Sequence, residues 1–180
     1  MRIGIPKEIK IREGRVALTP PAAGELVRAG HELFVQSGAG VASGYADADY
    51  ARFGVQILPD APAVYGRAQL LLKVKEPVAL EYGLLRKDHI LFSFLHLAAL
   101  PELTRQLAAI GLTAVALETV TEGGRLPLLA PMSEIAGRLA VQIGATLLHS
   151  YHGGRGLLLG GLPATERGQV TVLGAGEAGG

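Results

Sequence analysis

With 180 residues the chain can build one well-filled core, or one domain and part of another. Its 49% hydrophobic and 18% charged content, with 25 glycines and 10 prolines, excludes a disordered or fibrous protein, and a net charge of +1 leaves no electrostatic footprint for nucleic acid or an acidic membrane surface. The absence of cysteine excludes disulfides and thiolate metal sites and suits a reducing, cytoplasmic setting; no run approaches the roughly 18 apolar residues of a membrane span, and MRIGIPKEIK lacks the apolar block of a secretory leader.

Strand-like and helix-like runs alternate along the chain. Arg2-Ile5 reads as a short strand closed by Pro6. Thr19 is placed to cap a helix that opens on Pro20-Pro21 and ends at Gly30. ELFVQ (Glu32–Gln36) is a strand and SGAG (Ser37–Gly40) a turn. A helix over Asp47–Phe53 stops at Gly54, and VQIL (Val55–Leu58) is the next strand. A short helix around Ala63–Arg67 leads into QLLLKVK (Gln69–Lys75), a nearly continuous apolar run of the kind buried on both faces of a parallel sheet. HILFSFLH (His89–His96) is a second such strand, preceded by a short helix from near Ala79 to Arg86. Pro101 opens a helix to Ile110 with Gly111 as its cap, and LTAVALETV (Leu112–Val120) follows as a strand. The longest helical pattern runs from about Met132 to Leu148, then a glycine-rich stretch precedes a last strand, VTVL (Val170–Leu173). Strands separated by 10–15 residues of helical pattern argue for βαβ units. The predicted fold is therefore α/β, a parallel-rich sheet flanked by helices, followed by the first strand and turn of a Rossmann unit.

Four stretches carry chemistry. In Gly174-Ala175-Gly176-Glu177-Ala178-Gly179, the glycines allow a tight turn, close approach of backbone to a pyrophosphate, and helix-on-strand packing. Alone, in a glycine-rich chain, such a motif can equally be only a turn. Lys73 and Lys75, two apart on a strand, point to one face, where two ammonium groups are costly unless something anionic meets them. Lys75 ends the strand at the edge where ligands of open α/β sheets gather, although a lysine leaving a strand for solvent fits the residues equally well. His96 ends the neighbouring strand and titrates near neutral pH; for a lone histidine, a core role is the commoner alternative. Arg15, in the loop after the first strand, offers a fork that can grip a carboxylate, or can simply be a solvated charge. The other histidines, His31, His89, His149 and His152, show no metal-ligand spacing.

MRIGIPKEIKIREGRVALTP, LLLKVKEP, LFSFLHLAA, LLAPMSEIAGRLA and VTVLGAGEAGG, in this order and spacing, resemble the alanine dehydrogenase family. Its wider membership includes the NAD-binding subunit of the proton-translocating nicotinamide nucleotide transhydrogenase. The resemblance covers the whole chain but about the N-terminal half of a typical member. It implies a substrate domain over 1–130, a connecting helix over 131–150 and the start of a truncated NAD-binding Rossmann domain over 151–180, with the active site in the cleft between domains. It further implies reversible oxidative deamination of L-alanine to pyruvate and ammonia with NAD. On that pattern Arg15 and Lys75 hold the substrate carboxylate and its carbonyl or imine, and His96 is the acid–base. Ser133 touches the cofactor, and Gly174, Gly176, Glu177, Ala178 and Gly179 form the pyrophosphate turn. The family's catalytic aspartate maps to no position here, so the 180 residues alone are expected to be inactive. Family members are commonly hexamers, act on small molecules and bind neither nucleic acid nor membrane. Two alternatives stand beside this one: a transhydrogenase-type NAD-binding subunit, which the FLHLA segment disfavours, and an inactive N-terminal fragment.

Overall fold

Arg2–Ile5 form β1 near the middle of a six-stranded sheet in a computed structural model that describes residues 1–180. The other strands are β2 (Glu32–Gln36), β3 (Gln56–Leu58), β4 (Leu70–Leu72), β5 (Ile90–Ser93) and β6 (Thr113–Ala116). Their order is β3-β2-β1-β4-β5-β6, and every pairing is parallel. The helices between them are α1 (Pro20–Arg28), α2 (Asp47–Ala51), α3 (Ala61–Arg67), α4 (Ala79–Tyr82) and α5 (Pro101–Ile110).

Side-chain alternation along the strands divides the core in two. Ile3, Ile5, Leu33 and Val35 pack with Ala23 of α1 and Tyr50 of α2. Phe34, Leu71 and Leu91, of opposite parity, pack with Val64 and Tyr65 of α3 and with Leu103 and Leu107 of α5. Helices thus cover both faces, as a sheet of all-parallel strands requires. Gly4 is a glycine because α3 lies against β1: a Cβ there would sit 2.8 Å from both Ala68 Cβ and Val64 Cγ1.

Two helix ends follow the capping chemistry of their residues. Asp60 accepts the Ala63 N–H at 2.8 Å and starts α3, and Gly111 ends α5 in the left-handed region. Thr19 does stand at the N-cap of α1, but its side chain makes no capping bond, because Pro20 and Pro21 leave fewer N–H groups to cap.

Three expected strands are shorter, His89–His96 narrowing to Ile90–Ser93, Leu112–Val120 to Thr113–Ala116 and Val55–Leu58 to Gln56–Leu58, and two others differ more. β4 stops at Leu72 instead of running to Lys75, although Lys73 N–H still reaches the Phe92 carbonyl on the β5 side. Beyond Leu72 the N–H groups of Val74 and Lys75 are taken by the Glu8 carboxylate in place of a strand partner. Val170–Leu173 pair with no other segment and so form no ladder. A parallel strand exists only through its neighbours, and these side chains are exposed, Leu173 at 94%.

The chain divides into two compact units, Met1–Thr119 and Val120–Gly180. The first contains the sheet and both halves of the core. The second contains α6 (Ala130–Leu147), on which no residue is buried, two short turns closed by the bridges Glu122–Arg125 and Leu162–Thr165, and the glycine turn. No helix is long and apolar enough to cross a membrane.

Candidate active site

In a sheet of this order the chain leaves β1 toward one side and later returns to β4 on the other. The carboxyl ends of β1 and β4 therefore face a crevice where open α/β sheets bind ligands. In a dinucleotide-binding unit the β1–α1 turn is a glycine loop that delivers pyrophosphate to a helix N-terminus. Here the β1–α1 connection, Pro6 to Thr19, carries Lys7, Lys10, Arg12 and Arg15 instead. Pro20 and Pro21 remove two of the N–H donors that would face a phosphate. This crevice is equipped for a small anion held by side chains, not for a phosphate held by backbone.

Arg15 lies on that loop, and its Nε and Nη2 donate to the two oxygens of Glu13 at 2.9 and 2.6 Å. The Arg15 backbone N–H also donates to Glu13, at 2.9 Å. The guanidinium is thereby fixed edge-on, a geometry that Lys cannot reproduce. Hydrogen bonding from Arg15 holds the Glu13 carboxyl below its ordinary range, and the same bond raises the guanidinium of Arg15. The charge of the Lys75 ammonium adds a smaller lowering of Glu13.

Lys75 is half-buried just beyond β4. Glu8, in the loop after β1, accepts the Val74 N–H at 2.6 Å and the Lys75 N–H at 3.3 Å on one oxygen. Its other oxygen takes the Lys73 ammonium at 3.1 Å, and Glu81 of α4 takes the same ammonium at 2.8 Å. Glu81 in turn accepts the Tyr65 hydroxyl at 2.7 Å, and burial followed by that negative charge drives the phenol pKa upward. Lys73 is 1% exposed. The two lysines of KVK therefore have different fates: Lys73 is an internal tie and Lys75 is the one that remains half-open. The anion that Lys73 needed is supplied by the protein itself.

His96 follows β5 in the left-handed region at φ 52° and ψ 35°, a conformation that costs a non-glycine residue on the order of 1–3 kcal/mol. It is exposed, and its imidazole makes no hydrogen bond to any protein group, which leaves both nitrogens available for chemistry. The core role falls instead to His89, which is buried and joins the Arg86 N–H to the Tyr65 carbonyl at 3.0 and 3.1 Å. Beneath His96 lies Glu118, which follows β6 and accepts the His96 N–H at 2.7 Å.

A hollow of about 160 Å³ is lined by Glu8, Glu13, Gly14 and Arg15 from the β1 side and by Gly38 and Ala39 after β2. That is well below the roughly 300–1,000 Å³ of sites for drug-sized molecules and suits a compound of a few heavy atoms. Lys75 and His96 do not line it; they follow the adjacent strands β4 and β5 at the same edge of the sheet. The sequence pointed to Arg15, Lys75 and His96 but missed Glu8, Glu13 and Glu118. Glu13 has a local signal, its spacing of two from Arg15, whereas Glu8 and Glu118 become visible only once the strand order is known.

In the second unit, Gly174 turns the chain at φ 104°, and the Gly176 carbonyl accepts the Gly179 and Gly180 N–H groups at 3.0 and 2.9 Å. A Cβ on Gly176 would meet nothing within 4 Å, so the backbone there is open to a ligand, as a pyrophosphate turn needs. A groove of about 600 Å³, within the range for cofactors, is lined by Glu177, Ala178 and Gly179 together with Gly137 and Arg138 of α6. Gly137 is required by that packing, since a Cβ would overlap the Ala178 carbonyl. Ser133 is half-buried on α6 and does not line the groove. These residues fit the phosphate end of a dinucleotide. No three His, Cys, Asp or Glu side chains are grouped to hold a metal ion.

Known proteins resemble the chain over its whole length. The family description "Alanine dehydrogenase/PNT, N-terminal domain" matches residues 4–136, and "Alanine dehydrogenase/PNT, C-terminal domain" matches residues 140–180. Alanine dehydrogenase of Mycobacterium tuberculosis is 55% identical over 180 residues, 99% of this chain and 48% of that protein. The Bacillus subtilis alanine dehydrogenase is 50% identical over 179 residues, 99% of this chain and 47% of that protein. The chain thus spans about half the length of the curated relatives it matches. Among solved structures, an L-alanine dehydrogenase superposes with a TM-score of 0.90 at 51% identity, covering 99% of this chain and 50% of the other. A transhydrogenase from Sinorhizobium meliloti superposes with a TM-score of 0.72 at 28% identity, over 81% of this chain and 44% of the other.

Proposed function

Because the chain belongs to the alanine dehydrogenase/PNT family, we propose that the protein containing it catalyses the NAD-dependent, reversible oxidative deamination of L-alanine to pyruvate and ammonia. One observation carries this reading: the β1/β4 crevice has a cationic loop with a small hollow where a dinucleotide site would have its glycine loop. Residues 1–130 are then the substrate domain, 131–150 a connecting helix and 151–180 the start of the NAD-binding domain. The protein acts in the cytoplasm on a small molecule, as a homo-oligomer.

Arg15 grips the substrate carboxylate, oriented by its edge-on bond to Glu13. Lys75 holds the carbonyl or imine position and places its ammonium to stabilise negative charge that develops on the oxygen there. Ser133 with Gly174, Gly176, Glu177, Ala178 and Gly179 would hold NAD, which when bound would supply the acceptor for the hydride that leaves the α-carbon. The resulting imine carbon is attacked by water while His96 takes a proton from that water. That proton then goes to the amine, and as the carbon–nitrogen bond breaks His96 takes the remaining hydroxyl proton, so that pyruvate and ammonia leave.

The test uses the full-length protein. L-alanine should reduce NAD, read as growth of the reduced-nicotinamide absorbance band, and His96→Ala should lose this activity while keeping its affinity for NAD. A protein that binds NAD but ignores alanine would instead be of the transhydrogenase type, whose fold it shares. Loss of NAD binding in His96→Ala would refute the division of roles.

A further inference from the structure

The imidazole of His96 receives no hydrogen bond from any side chain and meets the Phe94 ring edge-on at 6.5 Å between centroids, so a polar group that fixes its position must act through the backbone. The turn that carries it is unusual, since His96 and Arg12 are the only non-glycine residues with positive φ. Positive φ is uncommon in such residues and persists where the surroundings enforce it. The register between β5 and β6 sets Ser93 opposite Ala116. Two residues beyond that pair, Leu95 and Glu118 come level, and there the Glu118 carboxylate meets the turn. One oxygen accepts the His96 N–H at 2.7 Å, and both accept the Leu95 N–H at 3.2 Å. No lysine or arginine pairs with Glu118, so its charge is directed at these backbone donors.

We propose that Glu118 is the positioning residue of His96, holding the left-handed turn that presents the imidazole by collecting the N–H groups of Leu95 and His96. The inference rests on the reading of His96 as the acid–base. Burial raises the Glu118 carboxyl, but its own N–H and those of His96 and Leu95 together outweigh it and leave it lowered, so the acceptor stays ionised at neutral pH. The bonds are charge-assisted and stronger than a neutral carbonyl would make. Glutamine at 118 keeps one carbonyl oxygen, able to take both N–H groups, but loses the charge; alanine loses the acceptor altogether.

Glu118→Gln and Glu118→Ala are compared with His96→Ala in the full-length enzyme, by saturation kinetics with L-alanine and NAD. Misplacing a reacting group by about 1 Å can cost on the order of 100-fold in rate. The expected result is a kcat lowered on that order in Glu118→Ala and by less in Glu118→Gln. The KM for alanine and the affinity for NADH, read by its fluorescence, should both hold. A role in stability alone would lower the melting temperature and leave the kcat of folded enzyme unchanged, and that result overturns the proposal. A second measurement does not depend on activity: His96→Gly accepts the left-handed turn without help, so Glu118→Ala should lower the melting temperature less in that background than in the wild type. Equal losses in both backgrounds would also overturn it, and Glu118→Gln supplies the same comparison if Glu118→Ala does not fold. An undiminished kcat in His96→Ala would remove the acid–base reading beneath the proposal. An inactive His96→Ala beside a fully active Glu118→Ala would remove the positioning role alone.

Discussion

A guanidinium that must hold a small carboxylate needs its plane fixed before the substrate arrives, because ordering it during binding costs side-chain entropy. Glu13 does this for Arg15 through two side-chain bonds and one backbone bond. Arg15→Lys keeps the charge but loses the fork, and with it one charge-assisted hydrogen bond worth roughly 1.5–3 kcal/mol. For the full-length enzyme this corresponds to a KM for pyruvate raised on the order of 10- to 100-fold, with the melting temperature little changed. Steady-state kinetics with varied pyruvate check it, and an unchanged KM would show that Arg15 does not bind the substrate. At this scale the sequence was partly legible. Arg15, Lys75 and His96 can be picked out because charged or titratable side chains follow apolar runs. The glutamates that hold them cannot, because an exposed glutamate and an anchoring one look alike until a backbone N–H is seen to point at it.

The stretch from β4 to α4 shows why element boundaries are harder to read than element types. QLLLKVK reads as one strand, since its apolar residues are continuous and lysine stems are compatible with a strand edge. The structure ends the ladder at Leu72 because β1 is short and Glu8 takes over the N–H groups beyond it. Lys73 is thereby drawn inside, between the carboxylates of Glu8 and Glu81. A buried ion cluster is weak support for stability as a whole, but removing one member leaves uncompensated charge. Lys73→Met keeps the volume and leaves two carboxylates facing each other out of water. The expected loss is about 3–5 kcal/mol of unfolding free energy, measured by urea denaturation of the full-length protein. A loss below about 1 kcal/mol, the range of an exposed pair, would mean that water reaches the cluster. Because Glu8 also holds the Lys75 N–H, the same variant should raise the KM for pyruvate.

For the molecule as a whole, alternation of strands and helices was enough to foresee an α/β protein with parallel pairing, because strand and helix periods are local properties of the chain. Strand order is not local: nothing in the residues says that β4 lies beside β1, yet that adjacency creates the crevice and brings the loops after β1 and β4 together. The two units also differ in how they are held. Every buried hydrophobic residue, from Ile3 to Leu107, belongs to Met1–Thr119. In Val120–Gly180 the apolar side chains of α6 remain open to solvent, with Ile135 at 57% and Val141 at 70% exposed. A helix draws most of its stability from packing an apolar face, so α6 in this 180-residue chain rests chiefly on its own propensity. Local opening there should need far less free energy than opening of the sheet. Hydrogen exchange followed by mass spectrometry on the 180-residue chain should therefore find amides of β1, β4 and β5 protected up to the global unfolding limit. Those of residues 120–180 should exchange orders of magnitude faster. Protection of α6 equal to that of the central strands would mean that its apolar face is covered, for instance by self-association. Dilution would then separate the cases, because protection that depends on a second copy falls with concentration, whereas protection within one chain does not.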